Sequence, residues 1–170
     1  MFQQEVAAQR LHLWRPHAPE PDFVARRTVL MTQEAWQQCP PDAERTAELG
    51  TDMLMNTRAA LERFVGGGLL EENVHLKCLL PKDDRIWALR VIEYPQVRVL
   101  GWFGQRDIFI ASHIAPRAEL DKLERGRDAY DRARDKAIRQ RDRNFAHLPY
   151  VNASDIHAQI SHGARDDLDD

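Results

Sequence analysis

From Ile86 to Ala115 the chain alternates with a period of two. Its only breaks are YPQ at 94–96 and GQRD at 104–107. A crossover between parallel strands takes about a dozen residues or more. The segments IWALRVIE (86–93), VRVLGWF (97–103) and IFIASHIA (108–115) are therefore predicted to form an antiparallel meander. HLKCLL (75–80), just upstream, has the composition of a further strand. The expected fold is α+β: a small antiparallel sheet of about four strands packed against helices.

Before this region the apolar period is that of a helix. Asp42 is placed to cap a helix over 43–65 in which Leu49, Met53, Ala60, Leu61 and Phe64 recur, and Gly66-Gly67-Gly68 stops it. Thr32 is placed to cap a short helix through Gln38, ended by Pro40-Pro41 and preceded by the strand-like RRTVLMT (26–32). Residues 1–14 suit a short helix with Ala7, Leu11 and Trp14 on one stripe, whereas the prolines of RPHAPEPDF (15–23) require extended chain. Beyond Pro116 a helix is expected over 117–145. Leu120, Leu123, Tyr130, Ala133, Ala137 and Ile138 form its apolar stripe, and Asp121 with Arg125, Asp128 with Arg132 and Asp135 with Arg139 its i, i+4 pairs. The implied organisation is an N-terminal arm over 1–42, a domain over 43–148 and an acidic, disordered tail over 149–170.

No apolar run approaches the ~20 residues that span a bilayer, and MFQQEVAAQRLHLW has no signal-peptide pattern. A cytoplasmic protein is the expectation. Cys39 and Cys78 lack any C-x-x-C spacing, so reduced thiols are expected, and His157 with His162 offers no metal-ligand spacing. The net charge of −3 conceals an asymmetry: 16 Lys and Arg against 11 Asp and Glu between Asn73 and Arg143, and 8 against 16 elsewhere. A basic middle on an acidic chain is compatible with a local phosphate site.

Alternation places Arg90 on a face with Ile86, Ala88 and Ile92. It places Arg98 with Leu100 and Trp102, and His113 with Phe109 and Ala111. If register unites these rows, a cationic group forms on one sheet face, bordered by Arg117 and joined by Lys77. Like charges on a sheet repel unless an anion visits, and a phosphodiester is a natural visitor. Plainer readings stand beside this one. Arg90 pairs with Glu93 or with helix carboxylates, Arg98 lies on a solvated edge strand, a backbone carbonyl satisfies His113, and Trp87 and Trp102 pack in the core.

The succession of a helix, a glycine break, a strand with lysine, then RIWALRV, VRVLGWF, DIFIASHIAPR and a helix resembles the RelE/HigB toxin superfamily, in particular its phage-derived HigB-like branch. The likeness covers roughly residues 43–145. It implies a RelE-like fold and a toxin-like endoribonuclease of a toxin–antitoxin pair that cleaves mRNA, often on the ribosome. The implied partner is an antitoxin, with a helix-turn-helix protein among the candidates. By motif position Arg90, Arg98, His113 and Arg117 would be catalytic, with neither metal nor cofactor. A ribose 2′-hydroxyl would attack the adjacent phosphate, with His113 as base or acid, the sheet arginines neutralising charge and Arg117 serving the leaving group or a backbone contact. Lys77, Trp102 and Lys122 would contact RNA, with Trp102 or Phe109 stacking a base. The chain departs from that branch at Ala115-Pro116-Arg117, where paired lysines are usual, and in its arm, its tail and its negative charge. The alternatives are a non-catalytic interaction module or phage-encoded inhibitor on the same fold, and a structural or adaptor protein.

Overall fold

The computed structural model describes residues 1–16, 19, 21–40, 50–124, 127–161 and 163–165. In chain order the helices are α1 (Phe2–Ala7), α2 (Gln33–Gln38), α3 (Thr51–Val65), α4 (Arg117–Leu120), α5 (Ala129–Arg139) and α6 (Ile156–Gln159). The strands are β1 (Leu11–Leu13), β2 (Thr28–Thr32), β3 (Leu70–Glu71), β4 (Leu76–Cys78), β5 (Trp87–Val91), β6 (Val97–Gln105), β7 (Ile108–Pro116), β8 (Leu123–Glu124), β9 (Arg127–Asp128) and β10 (Ala164–Arg165).

The meander β5-β6-β7 forms as its short turns require, but the sheet is not four antiparallel strands. It has six, in the order β1-β2-β7-β6-β5-β4, and it is mixed because β2 runs parallel to β7. The expectation failed at the edge. The meander leaves β7 with a row of unpaired backbone groups. The first forty residues, set apart on sequence as an arm, supply β2 to cover that row and β1 to cover β2. Leu11, Trp14, Val29, Leu30 and Met31 are buried there.

Both faces of this sheet are covered. On one, α3 packs Leu61 and Phe64 against Trp87, Phe103 and Phe109, with Ile156 of α6 and Ile160 beside them. On the other, Leu120 of α4 and Ala133 and Ala137 of α5 cover Ala88, Leu100, Trp102 and Ile110. The thiols of Cys39 and Cys78 are free and buried, and burial pushes them up to about 12 and about 11. Among the described residues no helix is long and apolar enough to cross a membrane.

Three further expectations are revised. The helix ending at Val65 starts at Thr51, after Gly50 with its positive φ of 74°; the proposed cap at Asp42 and Leu49 lie outside the described residues. The single helix expected over 117–145 is split by β8 and β9, and α5 restarts where the Asp128 carboxylate accepts a hydrogen bond from the Tyr130 N–H at 3.0 Å. Its charge periodicity continued across the break, so spacing alone could not reveal it. The segment over 149–165, expected as disordered tail, buries Ile156 and Ile160 and pairs β10 in parallel with β3; the DDLDD run lies outside the described residues. The Thr32-capped helix forms as expected.

One local feature governs the functional face. Leu100 pairs with His113 while Gly101 pairs with Ala111, so Ser112 is an extra residue, a β-bulge, on β7. Ser112 Oγ donates to the Leu100 carbonyl at 3.1 Å, and the Ser112 carbonyl accepts from Thr32 Oγ1 at 3.2 Å. Close backbone approach here requires glycine at 101, because a methyl group would collide with the Ile110 carbonyl. Gly101→Ala is expected to destabilise the fold by ~1–3 kcal/mol or more, read as a lowered Tm in thermal denaturation.

The N-terminal segment is tied down by a buried carboxylate. Glu5 accepts two hydrogen bonds from Arg10 at 2.7 Å and lies 2.9 Å from His147 Nε2. The Arg10 hydrogen bonds hold the Glu5 carboxyl at about 2, overcoming the burial that opposes ionisation, with His147 assisting. A depressed carboxyl contributes stability that is complete above its unfolded value of 4.5 and is lost as pH falls towards 2. Denaturation curves across that window should therefore show a steeper acid loss for the wild type than for Glu5→Gln.

Candidate anion-binding cleft

Register answers why two arginines occupy the inner positions of the best strands. Arg90 and Arg98 are direct cross-strand partners on β5 and β6, and Lys77 of β4 is paired with Ala88, one row away on the same face. Like charges directly opposite destabilise a sheet. Arg98 is 3% exposed, on a central strand rather than an edge. It donates to the carbonyls of Val97 at 3.0 Å and Val91 at 3.3 Å and to Gln96 Oε1 at 3.4 Å. Burial, with Arg90 and Arg117 as neighbours, pulls the Arg98 guanidinium down from its ordinary value, and Tyr130 opposes this.

These groups line a cavity of about 310 Å³ between the sheet and α5, with Lys77, Arg90, Arg98, Arg117 and Tyr130 around it. Arg117 reaches in from the start of α4, donating to Gln96 Oε1 at 2.9 Å and to Asp121 Oδ2 at 3.2 Å. Arg134, on the α5 side, is matched by Asp84, Asp131 and Asp135. Among the described residues, by contrast, Lys77, Arg90 and Arg98 have no carboxylate partner, and Glu93 pairs with Arg63 instead of Arg90. Burial raises the Tyr130 phenol, although Arg98 and Arg90 pull it down, so it sits among the cations as a protonated hydroxyl.

Four predicted residues, Lys77, Arg90, Arg98 and Arg117, thus converge, and three do not join them. His113 and Lys122 line a second cavity of about 440 Å³, on the other flank of α5. Tyr130 and Arg134 face the first space and Ala133 and Lys136 the second. The expected grouping of His113 with Phe109 and Ala111 is reversed by the bulge at Ser112, which turns His113 to the Leu100 and Arg98 face and leaves the other two in the opposite core. Trp102 is 1% exposed and packs 6.0 Å from the Phe145 ring, so it is not a stacking platform; Phe109 is buried as well.

His113 is held by residues that no sequence signal singled out. Its Nδ1 lies 2.8 Å from Glu34 Oε1 and 3.3 Å from Gln38 Nε2, both on α2. Lys136 Nζ contacts Glu34 at 2.7 Å, and Gln140 Nε2 donates to it at 3.4 Å. Burial opposes ionisation of Glu34, but the hydrogen bonds from His113 and Lys136 prevail and hold it below the usual carboxylate range. Glu34 lies far from His113 in sequence, and only the pairing of β2 with β7 brings α2 over that strand. Tyr130 and Gln96 were equally silent in sequence, as a stripe residue and a turn residue.

Among the described residues no group of three or more His, Cys, Asp and Glu side chains is arranged to hold a metal ion. Comparison with protein-family models, curated proteins and solved structures returns no match. Any function is therefore argued from the site. Trp102→Ala should cost ~3–5 kcal/mol of stability as a core truncation, read by chemical denaturation, with affinity for any anion unchanged in the fraction that remains folded.

Proposed function

We propose that the chain binds RNA by seating a backbone phosphodiester in the cleft between β4, β5, β6 and α5. The observation that carries this reading is the set Lys77, Arg90 and Arg98, cations on one sheet face that make no ion pair among the described residues, although Asp121, Asp128 and Asp131 line the same cavity and Asp121 and Asp131 are engaged by Arg117 and Arg134. An arriving phosphate relieves the repulsion between Arg90 and Arg98. It also gains charge-assisted hydrogen bonds, which exceed neutral ones because both partners keep their charge. The three cations are graded in exposure, with Lys77 at the surface, Arg90 half-buried and Arg98 at the floor, which suits an anion entering from one side.

A second reading, cleavage of the bound strand without a metal, is favoured by the Glu34–His113 pair. His113 stands on the same sheet face as Arg98, diagonal to it across β6 and β7, a relation that separates neighbours by ~7–8 Å, their Cβ atoms by somewhat less. In that reading the strand spans both cavities: the arginines seat one phosphate in the first, and His113 exchanges the proton of a 2′-hydroxyl seated in the second.

Binding is tested by fluorescence anisotropy with a labelled single-stranded RNA across a salt series. Lys77→Ala and Arg90→Ala should each weaken binding by about tenfold or more. Each should also make the slope of log K against log salt shallower by about 0.7, the increment per phosphate contact on a single strand. Equal affinity and slope in the wild type and both variants would remove the reading. Mapping of RNA 5′ ends after incubation with the wild type and His113→Ala tests cleavage.

A further inference from the structure

The second cavity is lined by Glu119, Lys122, Arg132 and Lys136 around His113, with Ala115 and Ala133 at its floor. The imidazole at its wall is gripped from behind. Gln38 Oε1 accepts the Ile114 N–H at 2.7 Å, which fixes that amide so that Nε2 is the atom facing His113 Nδ1, at 3.3 Å. Gln38 has only hydrogens to offer there, and the ionised Glu34 at 2.8 Å has only lone pairs. Nδ1 cannot serve both. The shorter, charge-assisted contact prevails, so the Nδ1 proton is donated to Glu34 and the Gln38 amide is left in looser contact. Neutral imidazole then carries its lone pair on Nε2, for which no partner exists among the described residues.

We propose that Glu34 is a positioning residue, which fixes His113 as the Nδ1–H tautomer and leaves its Nε2 a standing proton acceptor on the second cavity. The consequence for chemistry rests on the cleavage reading above. As the 2′-oxygen bonds to phosphorus its proton passes to Nε2, the bond from phosphorus to the 5′-oxygen breaks, and that oxygen takes a proton from solvent. Lys136 has a separate part. It neutralises Glu34 through both carboxylate oxygens and ties α5 to α2, without contacting the imidazole in any hydrogen bond among the described residues.

The test is a long-range proton–nitrogen correlation spectrum of the intact protein above the pH at which its histidines are neutral, with His113 assigned by its absence in His113→Ala. The wild type should show the Nδ1–H pattern, Glu34→Gln should move His113 towards the Nε2–H pattern, and Lys136→Ala should keep the wild-type tautomer despite losing its ion pair. Backbone amide spectra identify any variant that has unfolded. If cleavage occurs, Glu34→Gln should slow it at least ~10-fold, part of the ~10²- to 10⁴-fold that a positioned acid or base contributes, with RNA affinity retained. An Nε2–H tautomer in the wild type, an unchanged tautomer in Glu34→Gln, or unchanged cleavage in that variant would overturn the proposal. A wild type that binds RNA without cleaving it would remove the catalytic consequence and leave the tautomer measurement to decide the positioning role.

Discussion

Strand β6 is the constraint on which the rest of the structure depends. It lies between β5 and β7 and is buried from Val97 to Gly104, with Val97, Val99 and Phe103 in one core and Leu100 and Trp102 in the other. A strand buried on both faces needs a helical layer on each side. That requirement calls α3 to one face and α5 to the other. Arg98 is the charged exception on this strand. Because it sits where the layer of α5 begins, its guanidinium lies beside Arg90 and binds two carbonyls, an amide and the Tyr130 hydroxyl.

The same packing divides the functional face. A bare sheet would put Arg90, Arg98, Arg117 and His113 in one open cationic field. Helix α5 instead lies along it, filling the middle with Ala133 and Ala137 and turning one flank to the arginines and the other to His113. Small residues at those two positions allow the helix to approach closely. The result is a cleft in which Lys77, Arg90 and Arg98 make no ion pair among the described residues, beside a second cavity holding a carboxylate-bound imidazole. Each has its own chemistry.

The meander was legible because its turns are too short to allow another connection, and the Thr32 cap because a hydroxyl before a short helix-forming stretch that prolines end has one common use. Arg90, Arg98, Lys77 and Arg117 were legible because charge is conspicuous in an alternating apolar pattern. His113 was found as a residue but placed on the wrong row, since a bulge adds a single residue and inverts everything beyond it. Trp102 carried both a core and a stacking reading, because an aromatic side chain carries the same letter in either place, and its burial selects the core.

By itself the sequence determined the local elements and the residue types that carry charge, because periodicity, caps and turn length act within a few residues of chain. Tertiary structure alone decided that β2 joins β7 in parallel, that Arg90 stands opposite Arg98, that α5 parts the arginines from His113, and that Glu34 reaches that histidine. Those facts depend on strand register and on how an exposed sheet edge is covered. Both are settled by long-range pairing and burial, which leave no period in the sequence.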